Sequence, residues 1–195
     1  MKKIIIVVLL LLATVPAYVF INVLLDRSRM SYEDVAQNGE DISIVVKFGE
    51  PSSGLRFIVY DNQTRQVIGS SKCAHGSGGG STTEHPVFSN NVGSNCSSLG
   101  TYRLMSISKM YNCDMDCIRL EGLSPTNSNA AARGIYIHTA PIVADVFSTG
   151  FPIPISPIIS QGCFGISTET FNQLCALLRE GKTIYLYADD ERIEK

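Results

Sequence analysis

An apolar run at the N-terminus constrains this chain before anything else does. Lys2 and Lys3 precede an almost unbroken hydrophobic stretch from Ile4 to Leu25, which Asp26-Arg27-Ser28-Arg29 closes. Crossing a bilayer takes about 20 predominantly apolar residues in one helix, and positions 4 to 25 give a stretch of 22 residues interrupted by few polar ones. The run has no polar face, so it does not read as the apolar stripe of a core helix. It reads either as a secretory signal cleaved after Val15-Pro16-Ala17 or as a retained membrane anchor. With the lysines held inside, both readings export the remainder to the periplasm or cell envelope. The fold must therefore be built downstream. Residues 1–29 form the signal or anchor, 30–41 a polar tether or short helix, 42–188 one domain and 189–195 a charged tail.

Composition narrows the class. The chain has 195 residues, a length that suggests one compact domain with an appendage. Its 45% hydrophobic content is too high for disorder. Sixteen basic against 18 acidic residues leave a net charge of -2. Without a basic excess there is no electrostatic footprint for nucleic acid.

The segments Ile42–Phe48 and Leu55–Tyr60 are rich in β-branched and aromatic residues, and Glu50-Pro51-Ser52-Ser53-Gly54 between them is turn chemistry. A third strand starts at Val67-Ile68-Gly69 and reaches His75, before the flexible loop Gly76–Ser81. Thr101–Met105, Cys117–Leu120, Gly134–His138 and Thr183–Tyr187 read as further strands. One helix is expected over Thr168–Arg179, where Phe171, Leu174, Cys175 and Leu178 share a face. The sum is a mostly β domain, a sandwich or partly open barrel, with one C-terminal helix and an N-terminal hydrophobic helix before it.

Six cysteines in an exported chain invite a disulfide reading. Cys113 with Cys117 and Cys73 with Cys96 are the expected pairs, while Cys175 reads as a small buried hydrophobe. That leaves Cys163, in Ile158-Ile-Ser-Gln-Gly-Cys-Phe164. A cysteine beside glycine at a tight turn can present its thiol where backbone N–H groups converge, as an oxyanion site requires. A thiol needs a base to act as a nucleophile, and His138 at a strand end is the obvious one. Spacing alone leaves open a buried thiol and a strand-end histidine satisfied by backbone. A zinc site built from His75, His85 and His138 lacks metal-ligand spacing.

The order of motifs adds a second kind of information. Ala74-His-Gly-Ser-Gly, Phe88-Ser-Asn90, Ser97-Ser-Leu-Gly-Thr-Tyr102, Leu120-Glu-Gly-Leu123, Arg133-Gly-Ile-Tyr-Ile-His138 and Ser160-Gln-Gly-Cys-Phe164 together resemble the L,D-transpeptidase (YkuD-type) catalytic domain, in particular its murein branch. The likeness runs from about Ile42 to Tyr187. It implies a β-rich domain acting on peptidoglycan stem peptides, with Cys163 attacking the carbonyl of the diamino acid at stem position three. D-Alanine then leaves, and an amine acceptor resolves the acyl-enzyme. It implies His138 as base, oriented by the Thr139 carbonyl, and backbone N–H groups of Gly162 and Cys163 as oxyanion donors. Ser160 would shape the turn, and no metal or organic cofactor is implied.

Gln161 and Gly165 depart from the common motif, and the resemblance implies Gln161 as a contact of the donor stem. His75 either lines the cleft or supports the glycine loop. Arg133 either pairs with a stem carboxylate or forms an ordinary loop salt bridge. The Pro-rich loop 139–159 is either a groove wall or a partner surface. A hydrolytic outcome (L,D-carboxypeptidase) and a silent cell-wall-binding module are the alternatives, and a monomer is expected, held to the membrane if the anchor stays.

Overall fold

The structure, a computed structural model, describes residues 31–111, 113–140 and 160–189. The N-terminal apolar run, most of the Pro-rich loop and the C-terminal tail lie outside the described residues. Among the described residues no helix is long and apolar enough to cross a membrane.

Eight strands form one sheet: β1 (Ile42–Lys47), β2 (Phe57–Asp61), β3 (Gln66–Ser71), β4 (Gly100–Lys109), β5 (Asp116–Gly122), β6 (Tyr136–Thr139), β7 (Phe164–Ile166) and β8 (Ile184–Asp189). Their spatial order is β3-β2-β1-β8-β4-β5-β6-β7. The β1–β8 and β6–β7 pairs are parallel, and the others are antiparallel. The two edges meet. Past the end of β3, Ala74 bridges Gly165 of β7 and Gly76 bridges Ser160, with Ala74 N–H donating to Gly165 O at 2.8 Å. The sheet is thus a nearly closed barrel, as the pattern of short strands suggested, and little backbone is left unpaired at an edge.

The barrel interior follows from alternation. Ile42, Ile44 and Val46 on β1 point inward with Phe57 and Val59 on β2, Leu186 on β8 and Ile118 on β5. Phe164 lies at the centre of an aromatic cluster, stacked 6.0 Å from Phe48 and edge-on to Tyr102 at 5.5 Å. The helix α1 (Thr168–Arg179) starts where Ser167 caps the Thr170 N–H. It buries Phe171, Leu174 and Cys175 against the core, with Leu178 partly buried beside them.

Residues 31–41 differ from the expected tether or short helix. They carry no helix or strand, yet they pack on the domain's outer face. Val45, Ile58 and Tyr60 form a second apolar cluster there, covered by Tyr32 and Val35. Tyr32 sits edge-on to Tyr60 at 5.6 Å, and the Arg65 guanidinium lies over the Tyr32 ring. Glu40, only 4% exposed, accepts from Ser43 Oγ and the Asn38 N–H at 2.9 Å each, and from Tyr187. A strand pair with apolar side chains on both faces needs covering on both; the polar character of this stretch hides the few residues that do it.

Two outcomes test this packing. Phe164→Ala should cost about 3–5 kcal/mol of stability in urea unfolding; a loss under about 1 kcal/mol would contradict the central placement of that ring. Burial alone would raise the Glu40 carboxyl, but the hydrogen bonds from Tyr187, the backbone and Ser43 outweigh it and hold it below its ordinary range. The folded state therefore binds the Glu40 proton less readily than the unfolded chain. Its stabilisation is complete above the ordinary carboxyl range and is lost as pH falls through the folded value. Glu40→Gln should flatten the acid limb of a stability–pH curve, and an unchanged slope would refute this.

Candidate active site

The seam between β6, β7 and the chain after β3 opens into a groove of about 970 Å³, lined among others by Arg133, Tyr136, His138, Thr139, Ser160, Gln161 and Cys163. Its floor is a turn that Ser160 closes from both sides. The Gly162 N–H donates to Ser160 Oγ at 3.0 Å, and that hydroxyl donates to the Cys163 carbonyl at 2.7 Å. Gly162 has φ +117°, and a Cβ there would lie 2.6 Å from the Cys96 carbonyl and 2.8 Å from Ile135 Cδ1. Both the left-handed backbone and the lack of space demand glycine. Since its N–H already serves Ser160, Gly162 does not present the free donor expected of it. The Cys163 N–H has no partner among the described residues.

Cys163 is 7% exposed. Its sulfur accepts from the Tyr136 N–H and donates to the Gly134 carbonyl, each at 3.4 Å. Burial pushes the thiol above its ordinary range; the Tyr136 N–H pulls it down, Cys117 raises it, and Arg133 lowers it. Burial prevails, so the resting site holds a neutral thiol.

The parallel ladder of β6 and β7 sets His138 opposite Gly165, and the antiparallel ladder of β5 and β6 sets Cys117 opposite His138. His138 Nδ1 lies 2.9 Å from the Thr139 carbonyl. A carbonyl only accepts, so Nδ1 carries the hydrogen and Nε2 is left as a proton acceptor. Gly165 also has a reason here. A Cβ at that position would come within 3.0 Å of Ala140 Cβ, 3.2 Å of Ala74 Cβ and 3.7 Å of His138 Cε1. The departure from the common motif is thus the residue that lets the barrel seam close beside the imidazole.

The other expected site residues are distributed differently. Gln161 is exposed and lines the groove. His75 is fully buried and away from the groove lining. Its Nδ1 faces Arg56 Nη2 at 2.7 Å and its Nε2 faces the Thr82 carbonyl at 2.9 Å. A guanidinium only donates, so Nδ1 accepts and Nε2–H donates, which makes the ring a support of the glycine loop. Arg133 lines the groove, but its bonds run to the 89–98 segment. Asn129 clips onto Asn90 through two donors: its backbone N–H donates to Asn90 Oδ1 at 3.1 Å, and its Nδ2 to the Asn90 carbonyl at 2.9 Å.

Neither expected disulfide is present, since all six cysteines are free thiols. Cys73 is enclosed in the core, where burial pushes its thiol up to about 12, and its sulfur donates to the Ala74 carbonyl. The Cys96 sulfur donates to the Ser94 carbonyl instead. Cys113 is exposed in the β4–β5 turn, whereas Cys117 is buried with its sulfur 3.7 Å from Ser108 Oγ.

Sequence reasoning missed the far wall. Strand β4 runs on to Lys109, and the hairpin it makes with β5 brings Met110, Tyr111 and Met115 to the groove. Val92 and Asn95 line it too. The alternation in Ser106-Ile107-Ser108 is the signal that a longer strand was present.

A model of the L,D-transpeptidase catalytic domain matches residues 21–187. No curated protein matches the chain. Among solved structures, it is similar to an L,D-transpeptidase from Mycobacterium tuberculosis H37Rv, at 14% identity and a TM-score of 0.46, over 78% of this chain and 59% of that one. It is also similar to one from Stackebrandtia nassauensis, at 10% identity and a TM-score of 0.47, over 88% and 66%. A third, from Xylanimonas cellulosilytica, shows 10% identity and a TM-score of 0.43, over 81% and 65%. The chain spans about three-fifths to two-thirds of the length of these structures. With six motifs in order and the family model covering nearly all of the domain, the chain belongs to the L,D-transpeptidase catalytic domain family.

Proposed function

We propose that this protein is an exported, cysteine-dependent L,D-transpeptidase that remodels the peptide stems of peptidoglycan. The observation that carries the reading is one groove holding a buried thiol together with an imidazole whose tautomer leaves Nε2 free to take a proton.

His138 Nε2 accepts the Cys163 proton as the sulfur attacks the carbonyl of the position-three diamino acid. A neutral thiol and neutral imidazole at rest fit transfer concerted with attack, because separating charge in a buried site before substrate arrives is costly. The developing oxyanion is met by the Cys163 N–H. Collapse breaks the C–N bond and forms a thioester, and the imidazolium gives its proton to the departing D-alanine amine. An amine from a second stem then attacks the thioester, His138 takes the amine's proton, and the sulfur leaves as thiol. Water in place of that amine gives the hydrolytic product by the same acyl-enzyme. Gln161, exposed at the groove rim, would contact the donor stem. The Ile4–Leu25 run would serve as signal or inner-membrane anchor, with the domain acting as a monomer in the periplasm.

Intact-protein mass after incubation with a tetrapeptide stem should reveal an adduct on Cys163 with loss of one D-alanine. Cys163→Ala should abolish it, and His138→Ala should slow it by about 10²–10⁴-fold. Adduct formation at an undiminished rate in Cys163→Ala would remove the nucleophile assignment. Cross-linked dimer or trimmed tripeptide among the products separates transfer from hydrolysis.

Because burial raises the thiol, the reactive thiolate is populated only above the range of a free cysteine, about 8.5. Iodoacetamide labelling of Cys163, followed by peptide mapping, should keep rising with pH past that range. A plateau already reached near neutrality would contradict a neutral resting thiol.

A further inference from the structure

Arg133 stands out among the groove residues because its charge and its bonds point to different tasks. Nη1 donates to the Ser89 carbonyl at 2.7 Å and to Ser98 Oγ at 3.2 Å. Nη2 donates to Ser94 Oγ at 3.3 Å and to the Cys96 carbonyl. Four of the five guanidinium N–H groups are thereby used on the protein's own oxygens. A bidentate grip on a stem carboxylate needs two parallel donors, and only Nε–H remains. All four acceptors are neutral, and no carboxylate pairs with Arg133 among the described residues, so its positive charge is uncompensated at the groove.

The acceptors belong to one strap, residues 89–98, and that strap lies against the nucleophile turn. The Cys96 carbonyl occupies the space a Gly162 side chain would need, and Arg133 Nη2 is itself 3.1 Å from that position. One residue on, Ser97 Oγ donates to the Gly162 carbonyl at 3.2 Å and accepts from the Gly76 N–H at 2.9 Å. Between the two strap ends Asn95 adopts φ +55°, a left-handed turn that asparagine tolerates. Ser98 Oγ, the other strap acceptor, also bonds the Tyr102 hydroxyl at 2.7 Å, and the Tyr102 ring packs edge-on against Phe164, next to Cys163.

We infer that Arg133 is a positioning residue of the transfer reaction: its guanidinium clamps the 89–98 strap onto Gly162, holds the Cys163 sulfur in its place against the Tyr136 N–H and the Gly134 carbonyl, and keeps a positive charge at the groove as negative charge develops on that sulfur. The inference rests on the transpeptidase reading for the reaction it serves. The clamp itself acts on the nucleophile and can be measured without any substrate.

The test compares Arg133→Gln, Arg133→Lys and, as control, Arg103→Gln, whose ion pair with Glu121 lies on an exposed part of β4–β5. Thermal melting certifies that each variant is folded. Iodoacetamide labelling of Cys163 against pH reads the nucleophile, and acylation by a tetrapeptide stem reads the reaction. Arg133→Gln should raise the labelling midpoint by about one pH unit and lower the acylation rate constant roughly 100-fold, with the concentration dependence little changed. Arg133→Lys keeps the charge without the two-nitrogen clamp. It should restore the labelling midpoint while acylation stays about tenfold slow. Arg103→Gln should match the unsubstituted protein in both. A folded Arg133→Gln with an unchanged labelling profile overturns the inference, as does a loss confined to KM, which would mark a substrate contact. Should Arg133→Gln not fold, full acylation rate in Arg133→Lys overturns it equally. If the unsubstituted protein is not acylated at all, the proposed function fails, while the labelling midpoints still decide the role of Arg133.

Discussion

The seam where the chain after β3 meets β7 is the constraint on which the rest of this structure depends. Ala74 and Gly165 join there, and the approach is close enough that a Cβ on Gly165 would press on both Ala74 and Ala140. Closing the barrel at this point brings together segments far apart in sequence: the glycine loop after His75, the Ser160–Cys163 turn and the end of β6. Without the seam, β7 would be a three-residue edge strand paired only with β6. Short edge strands are stabilised almost entirely by what covers them.

Burial at the seam sets the chemistry. The environment that makes the turn rigid also removes water from the Cys163 sulfur, and this favours the neutral thiol. The Tyr136 N–H and the Arg133 charge work in the opposite direction. A site balanced in this way favours a protonated sulfur, and a neutral thiol is a poor target for alkylation and oxidation. The six free thiols fit a domain whose stability comes from a filled barrel rather than from cross-links.

Several motif residues turn out to be architectural. Asn90 with Asn129, Ser160, His75 and Gly165 each tie one loop to another, and none of them needs to touch substrate to be required. The buried Arg56 shows the same logic. Its Nε and Nη2 donate to the Cys73 carbonyl, and Nη2 faces His75 Nδ1. It thereby locks the glycine loop through a histidine whose chemistry is otherwise unused.

The sequence by itself determined the mostly β class, the positions of most strands, the C-terminal helix with its buried face, and the identity of the thiol and imidazole that share the groove. These follow from local periodicity, turn chemistry and motif order, which are properties of neighbouring residues. Tertiary structure alone decided that the barrel closes through Gly165, that the polar 31–41 stretch covers an outer apolar face, and that Arg133 faces carbonyls and hydroxyls of a strap instead of a carboxylate. It also decided that Cys73 and Cys96 stay apart and that a hairpin tip supplies the far wall. Each of those depends on which distant segments are brought into contact. Pairings of that kind leave no period in the chain, because a hydrogen bond across 37 positions, from Arg133 to Cys96, is written in space and not in spacing.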